Sequence, residues 1–258
     1  MKQRRKSPAA RVRWMHDVLL AAYGPQKWWP AETAFEVILG AYLTQNTSWK
    51  AVERSLENLR GAHALTIEGL RALSLEELQR LIQPSGFFTR KAPALKAFVE
   101  MLDAEFGGSL ERLGKEPEAK LRERLLALPG VGPETADAIL LYALGHSVPV
   151  ADEYLRRIAE RHKLVEVARK GNASYEVLAW LTREAFAREP ESEKPQLYNE
   201  FHALTVAVGK AHCGRVARCD GCPLADDLRD RLADHACQTE ASRRKLVSSW
   251  VQRRHNRN

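Results

Sequence analysis

Long apolar runs are missing from this 258-residue chain. Its longest uncharged stretches, residues 37–48 and 138–151, fall short of the ~20 apolar residues that a spanning helix requires, which excludes a helical membrane span. A secretory h-region is missing as well, since the apolar run after the basic start covers only residues 18–22. A cytoplasmic protein with no membrane partner is expected. Strictly alternating segments are lacking, which argues against a β architecture. Cysteine is scarce, with four in all, and each lies in the last 46 residues; a disulfide framework is therefore not expected. Acidic residues are absent from both ends: residues 1–13 and 241–258 each hold six Lys or Arg and no Asp or Glu. The net charge of +7 belongs to these ends, because the body between them has 28 basic against 33 acidic groups, a net charge of −5. A basic total can mark a nucleic-acid partner, but here two solvated tails account for it equally well.

What is present reads as a folded helical chain, 45% hydrophobic and 28% charged. Apolar side chains recur three or four apart over residues 33–43, 47–60, 89–106, 133–145, 152–163, 174–187 and 195–211. Ser74 and Glu77 form a capping-box pattern, and Pro117 suits the start of a helix ending near Leu128. The expected class is all-α, with loops at residues 84–86, 107–108, 130–132 and 146–149 and with flexible basic ends.

The most informative segment is Leu128-Pro129-Gly130-Val131-Gly132-Pro133-Glu134-Thr135. Two glycines around an aliphatic residue allow a sharp turn and leave backbone N–H groups unobstructed. With the start of the next helix they make an anion site suited to a phosphate, a grip that needs little side-chain charge. A plain helix-helix turn has a similar sequence. Asp152 follows twenty residues after Gly132, after the loop and Pro149. Hairpin, loop and aspartate together resemble the endonuclease III superfamily of helix-hairpin-helix DNA glycosylases. The segments Leu43-Thr44-Gln45-Asn46-Thr47-Ser48-Trp49, Pro84-Ser85-Gly86-Phe87, Gly132 to Asp137 and Tyr198-Asn199-Glu200-Phe201-His202-Ala203-Leu204 are most similar to its 3-methyladenine DNA glycosylase III branch.

The resemblance covers about residues 14 to 224 and implies a two-lobed fold. A six-helix barrel lobe would span residues 33–149 and carry the hairpin. A second helical lobe would combine 14–32 with 150–237, and basic tails would occupy 1–13 and 238–258. It implies a monomer acting on duplex DNA in the nucleoid, with the site between the lobes. Gln45 matches the residue that fills the gap left by a flipped base, although a surface amide near a helix cap is the plainer reading. Gly130, Val131, Gly132 and Thr135 match the backbone grip. Trp28, Trp29, Pro30 and Trp49 match the aromatic positions of the base pocket, and Lys210 lies near it; core packing is the alternative for the tryptophans. An indole face attracts a cation by about 0.5–2 kcal/mol, which favours N-alkylated, positively charged purines. Asp152 matches the catalytic carboxylate, and an Asp opening a helix is also a common N-cap.

Bifunctional relatives cut the strand through a lysine two residues after the second hairpin glycine. Here that position is Glu134, and a carboxylate cannot form the Schiff base that lyase chemistry needs. The expectation is a monofunctional glycosylase that leaves an abasic site. Lys91 is a more distant amine. Endonuclease III relatives hold a [4Fe–4S] cluster on thiolates spaced C-x6-C-x2-C-x5-C. Cys213, Cys219, Cys222 and Cys237 depart from this twice, with five residues in the first gap and fourteen in the last, and Leu228 stands at the expected fourth position. A [4Fe–4S] cluster closed by Cys237 is the expectation, with zinc held with help from His212 or His235, or free thiols, as the alternatives. A non-catalytic hairpin protein, and a glycosylase or lyase for other damaged or mismatched bases, are the competing functions.

Overall fold

The structure is a computed structural model that describes residues 7–26, 28, 31–165 and 173–228. Among the described residues the bounded α-helices are, in order, α1 (Pro8–Tyr23), α2 (Ala34–Leu43), α3 (Trp49–Gly61), α4 (Ile67–Ala72), α5 (Leu75–Leu81), α6 (Phe88–Phe106), α7 (Leu110–Gly114), α8 (Glu118–Ala127), α9 (Pro133–Ala138), α10 (Glu153–Arg161), α11 (Tyr175–Ala185) and α12 (Lys194–Ala211). A 3-10 turn, Gln83–Ser85, precedes α6, and a π-helical turn, Ile139–Ala143, extends α9. Among the described residues there is no strand, only the isolated bridge between Cys213 and Ala217.

The helix starts are written locally. Ser7, Thr33, Thr66, Ser109, Asp152 and Ser174 each accept a first-turn N–H, replacing a partner that the helix cannot supply. Ser74 and Glu77 close the full capping box. Pro117 is the N-cap of α8 rather than its first residue.

The expectation of a flexible tail over residues 1–13 is corrected in part. Residues 8–13 belong to α1, and Val12 is buried in the core. Arg11 is the reason they are held. Its Nε donates to Asp227 Oδ1 at 2.8 Å and its Nη2 to the His162 carbonyl at 2.8 Å. Residues 1–6 and the tail 238–258 lie outside the described residues.

Packing sorts the helices into two groups. α1, α10, α11 and α12 pack on one another, whereas α2 to α9 pack around α2 and α6, and α12 also meets the π-helical turn. One apolar core runs through both groups, including Leu19, Ile38, Tyr42, Phe98, Leu140, Phe186 and Leu204.

Candidate active site between the helical groups

A cleft of about 1060 Å³ opens between the two groups. Trp49, Glu134 and Thr135 line it from the α2–α9 side; Trp28, Asp152 and Lys210 line it from the other. Seven residues singled out in the sequence (Trp28, Gln45, Trp49, Glu134, Thr135, Asp152 and Lys210) therefore share one cavity. Trp29, Pro30 and Cys237 lie outside the described residues.

Asp152 is buried, and its Oδ1 accepts the Leu155 N–H at 2.8 Å, so it does cap α10. This bond uses one oxygen. The other, Oδ2, stands 3.6 Å from His202 Nε2. The position of α10 depends on Gly209 of α12: a Cβ there would fall 2.2 Å from the Tyr154 ring. The glycine lets the two helices meet and brings the start of α10 to the cleft.

The hairpin divides its work between its glycines. Gly130 takes φ +75° and fits under Ala94, whose Cβ would lie 3.3 Å from an added Cβ. Gly132 has extended backbone, φ −100° and ψ 177°, and a Cβ there would meet nothing within 4 Å. Val131 is buried and anchors the turn. Gln45 reaches across to this hairpin, its Nε2 donating to the Gly130 carbonyl at 2.9 Å and to Thr135 Oγ1 at 2.8 Å.

Glu134 sits in the first turn of α9 on the cleft wall. The residue is exposed to solvent by surface area, although protein packs close around its carboxyl in the cleft. That desolvation, followed by the charge of Asp152, pushes its carboxyl up to about 7, with His202 acting in the opposite direction. Lys91 is not a site amine. It is buried away from the cleft, with Nζ donating to the Leu43 and Ser85 carbonyls at 2.8 Å each, and burial lowers its amine to about 8. Its task is to tie the end of α2 to the 3-10 turn.

Two site residues were not singled out by sequence. His202 lines the cleft, and the hydroxyl of Tyr142 meets its Nδ1 at 2.5 Å. His202 stood in a quoted motif, but its partners come from 60 and 50 residues away, and local spacing carries no trace of them.

Cys213, Cys219 and Cys222 lie in one neighbourhood and form no disulfide among the described residues. Burial raises the Cys222 thiol, and Cys213 and Cys219 add to the shift. Arg161 Nη1 already donates to Cys213 Sγ at 3.0 Å. Among the described residues no three His, Cys, Asp or Glu are arranged to hold a metal ion. These three thiols do not form a cluster site on their own.

Known proteins share this fold. The family model described as the HhH-GPD superfamily of base excision DNA repair proteins matches residues 39–182. A Methanocaldococcus jannaschii protein provisionally named a DNA repair glycosylase is 38% identical over 215 residues, covering 82% of this chain and 93% of that protein. Among solved structures, the 3-methyladenine DNA glycosylase of H. pylori bound to 1,N6-ethenoadenine has a TM-score of 0.67 at 29% identity, over 80% of this chain and 98% of that one. A non-covalent endonuclease III–DNA complex has a TM-score of 0.68 over 87% of this chain and 98% of the other, and at 20% identity it supports the fold alone. Since the matched span takes in the hairpin, the cleft wall and Asp152 together, the chain belongs to the HhH-GPD superfamily of base excision DNA repair proteins.

Proposed function

We propose that the protein is a monofunctional DNA glycosylase for alkylated purines, acting on a base flipped from duplex DNA. The observation that carries this reading is the meeting of Asp152, Trp28, Trp49 and Glu134 on one cleft. Taking a base out of the stack costs a few kcal/mol. Gln45 fills the gap, which requires it to exchange its two bonds to the hairpin for partners in the duplex. The hairpin N–H groups hold a neighbouring phosphate, and Trp28 and Trp49 present electron-rich faces to a cationic base.

Alkylation weakens the glycosidic bond, so the enzyme needs mainly to stabilise what departure of the base creates. As the C–N bond breaks, its electron pair leaves with the purine and positive charge grows on the sugar. Asp152 Oδ2 supplies the opposing charge, orients the water that adds to the sugar carbon and accepts the proton that this water gives up. Glu134 in the lysine position leaves no amine there for strand cleavage.

The cap bond of Asp152 also suits a hairpin protein without catalysis. One experiment separates the readings: duplexes each carrying a single modified base, scored for abasic sites with and without alkali. Alkylated purines are released, strands break only after alkali, and Asp152→Asn abolishes release while binding persists. A salt-sensitive binder that releases no base supports the other reading. Strand cleavage without alkali contradicts the role given to Glu134.

A further inference from the structure

His202 makes contacts that a core histidine has no need of. It lies in the interior of α12, is 7% exposed, and lines the cleft. Three groups face its ring. Tyr142 places its hydroxyl 2.5 Å from Nδ1, Asp152 Oδ2 stands 3.6 Å from Nε2, and the Trp28 ring centroid lies 5.0 Å away. Tyr142 comes from the π-helical turn, where the wider winding departs from the α-helical register of α9.

These contacts bear on where the imidazole proton resides. Burial, with the charge of Asp152 adding to it, raises the Tyr142 phenol well above its ordinary range, so it remains an O–H that can donate to Nδ1 or accept from it. A neutral imidazole that accepts at Nδ1 carries its proton on Nε2, the nitrogen aimed at Asp152. The oxygen it faces is the one that the helix cap leaves available.

We propose that His202 is a positioning residue for base excision: it presents Nε2–H to Asp152 Oδ2 and sets the angle at which that carboxylate meets the sugar, while Tyr142 locks the tautomer. The inference rests on the reading of Asp152 as the excision carboxylate. At 3.6 Å the contact is open in the free protein, and a shift of a few tenths of an ångström closes it; such contacts commonly tighten only when substrate is bound. The same ring backs Trp28, so one side chain relates the stacking wall to the charge that acts on the sugar.

The test is single-turnover release of 3-methyladenine from methylated duplex DNA with enzyme in excess. Binding is measured separately on a duplex containing a tetrahydrofuran abasic analogue. His202→Gln can place an amide N–H where Nε2–H stands, whereas His202→Asn reaches only the Nδ1 position. Glutamine is expected to stay within about threefold of the parent rate, and asparagine and alanine to lose roughly tenfold to a hundredfold, with duplex affinity unchanged. Tyr142→Phe gives an intermediate loss and, should the His202 variants fail to fold, decides the matter alone. Imidazole ¹⁵N shifts report Nε2 protonated and Nδ1 accepting. Parent rates in the asparagine variant or in Tyr142→Phe, a glutamine variant as slow as alanine, or the opposite tautomer each overturn the proposal. Parent activity in Asp152→Asn overturns the underlying reading instead; an inactive Asp152→Asn beside indifferent His202 variants overturns this inference alone.

Discussion

At the scale of single residues, the two hairpin glycines differ in what they protect. Gly132 precedes Pro133, which favours the extended backbone that Gly132 adopts, and a side chain there meets open space. Gly132→Leu is therefore expected to keep the parent melting temperature and to lose duplex affinity about tenfold, or ~1.4 kcal/mol, on damaged and undamaged DNA alike. Gly130→Ala is expected to lower the melting temperature, because it needs left-handed backbone and presses on Ala94. Fluorescence anisotropy and thermal melting separate the two; a Gly132→Leu protein that binds as the parent does removes the hairpin from the binding surface. Glu134 adds a pH signature. Its folded-state carboxyl lies at about 7 against 4.5 for the ordinary group. Across that window the folded chain keeps a proton that the unfolded chain has released, so its contribution to stability falls as pH rises. Glu134→Gln is expected to raise the melting temperature at about pH 8, where the charge beside Asp152 is removed, and to leave it unchanged at about pH 4. Water around the side chain keeps the gain small. Equal gains at both pH values contradict this account.

At the scale of elements, the sequence discloses what is local and hides what closes over distance. The Ser74–Glu77 box, the helix starts at Thr33 and Ser174 and the period of α3 and α12 are all determined within a few residues, and each is legible in the sequence. Asp152 is legible as a cap for the same reason. By contrast, residues 8–13 look like a tail because their basic composition dominates, whereas their helix is held by Asp227, 216 residues along the chain from Arg11. The role of Lys91 is hidden in the same way, since its acceptors are carbonyls of α2 and of the 3-10 turn. The Arg11–Asp227–His162 group has its own pH signature. Burial opposes the charge of Asp227, but hydrogen bonds from His162 and Arg11 outweigh it and hold the carboxyl at about 2 against an ordinary 3.8. Its stabilisation is present above the ordinary value and is lost as pH falls toward about 2. Asp227→Asn is expected to cost roughly 3 kcal/mol in urea denaturation at neutral pH, because the buried carboxylate is lost and the half-buried Arg11 keeps only the His162 carbonyl as a strong acceptor. The deficit relative to the parent shrinks near pH 2; a deficit that is constant with pH contradicts the charge argument.

At the scale of the whole molecule, the cleft exists only while the two helical groups keep their spacing, and an ion network at their junction bears on that spacing. Arg122 of α8 donates to Asp137 of α9 at 2.7 Å and to Glu176 of α11 at 2.9 Å, while Arg183 of α11 donates to Glu118 of α8 at 3.0 Å. Asp137 is almost fully buried on the helix that follows the hairpin, so the network ties the hairpin to the group that carries Asp152. Replacing Arg122 by methionine keeps much of the stem's packing but leaves Asp137 buried without this cation. A loss of about 3 kcal/mol is expected. Adding Asp137→Asn removes the stranded charge, so the double variant is expected to be more stable than the sum of the two single losses predicts. Urea denaturation of the four proteins measures this coupling. Strict additivity contradicts the view that these side chains act together. If coupling is found, the excision rate of the double variant asks the next question: a stable protein with slow excision means the network sets the width of the cleft as well as holding the chain folded.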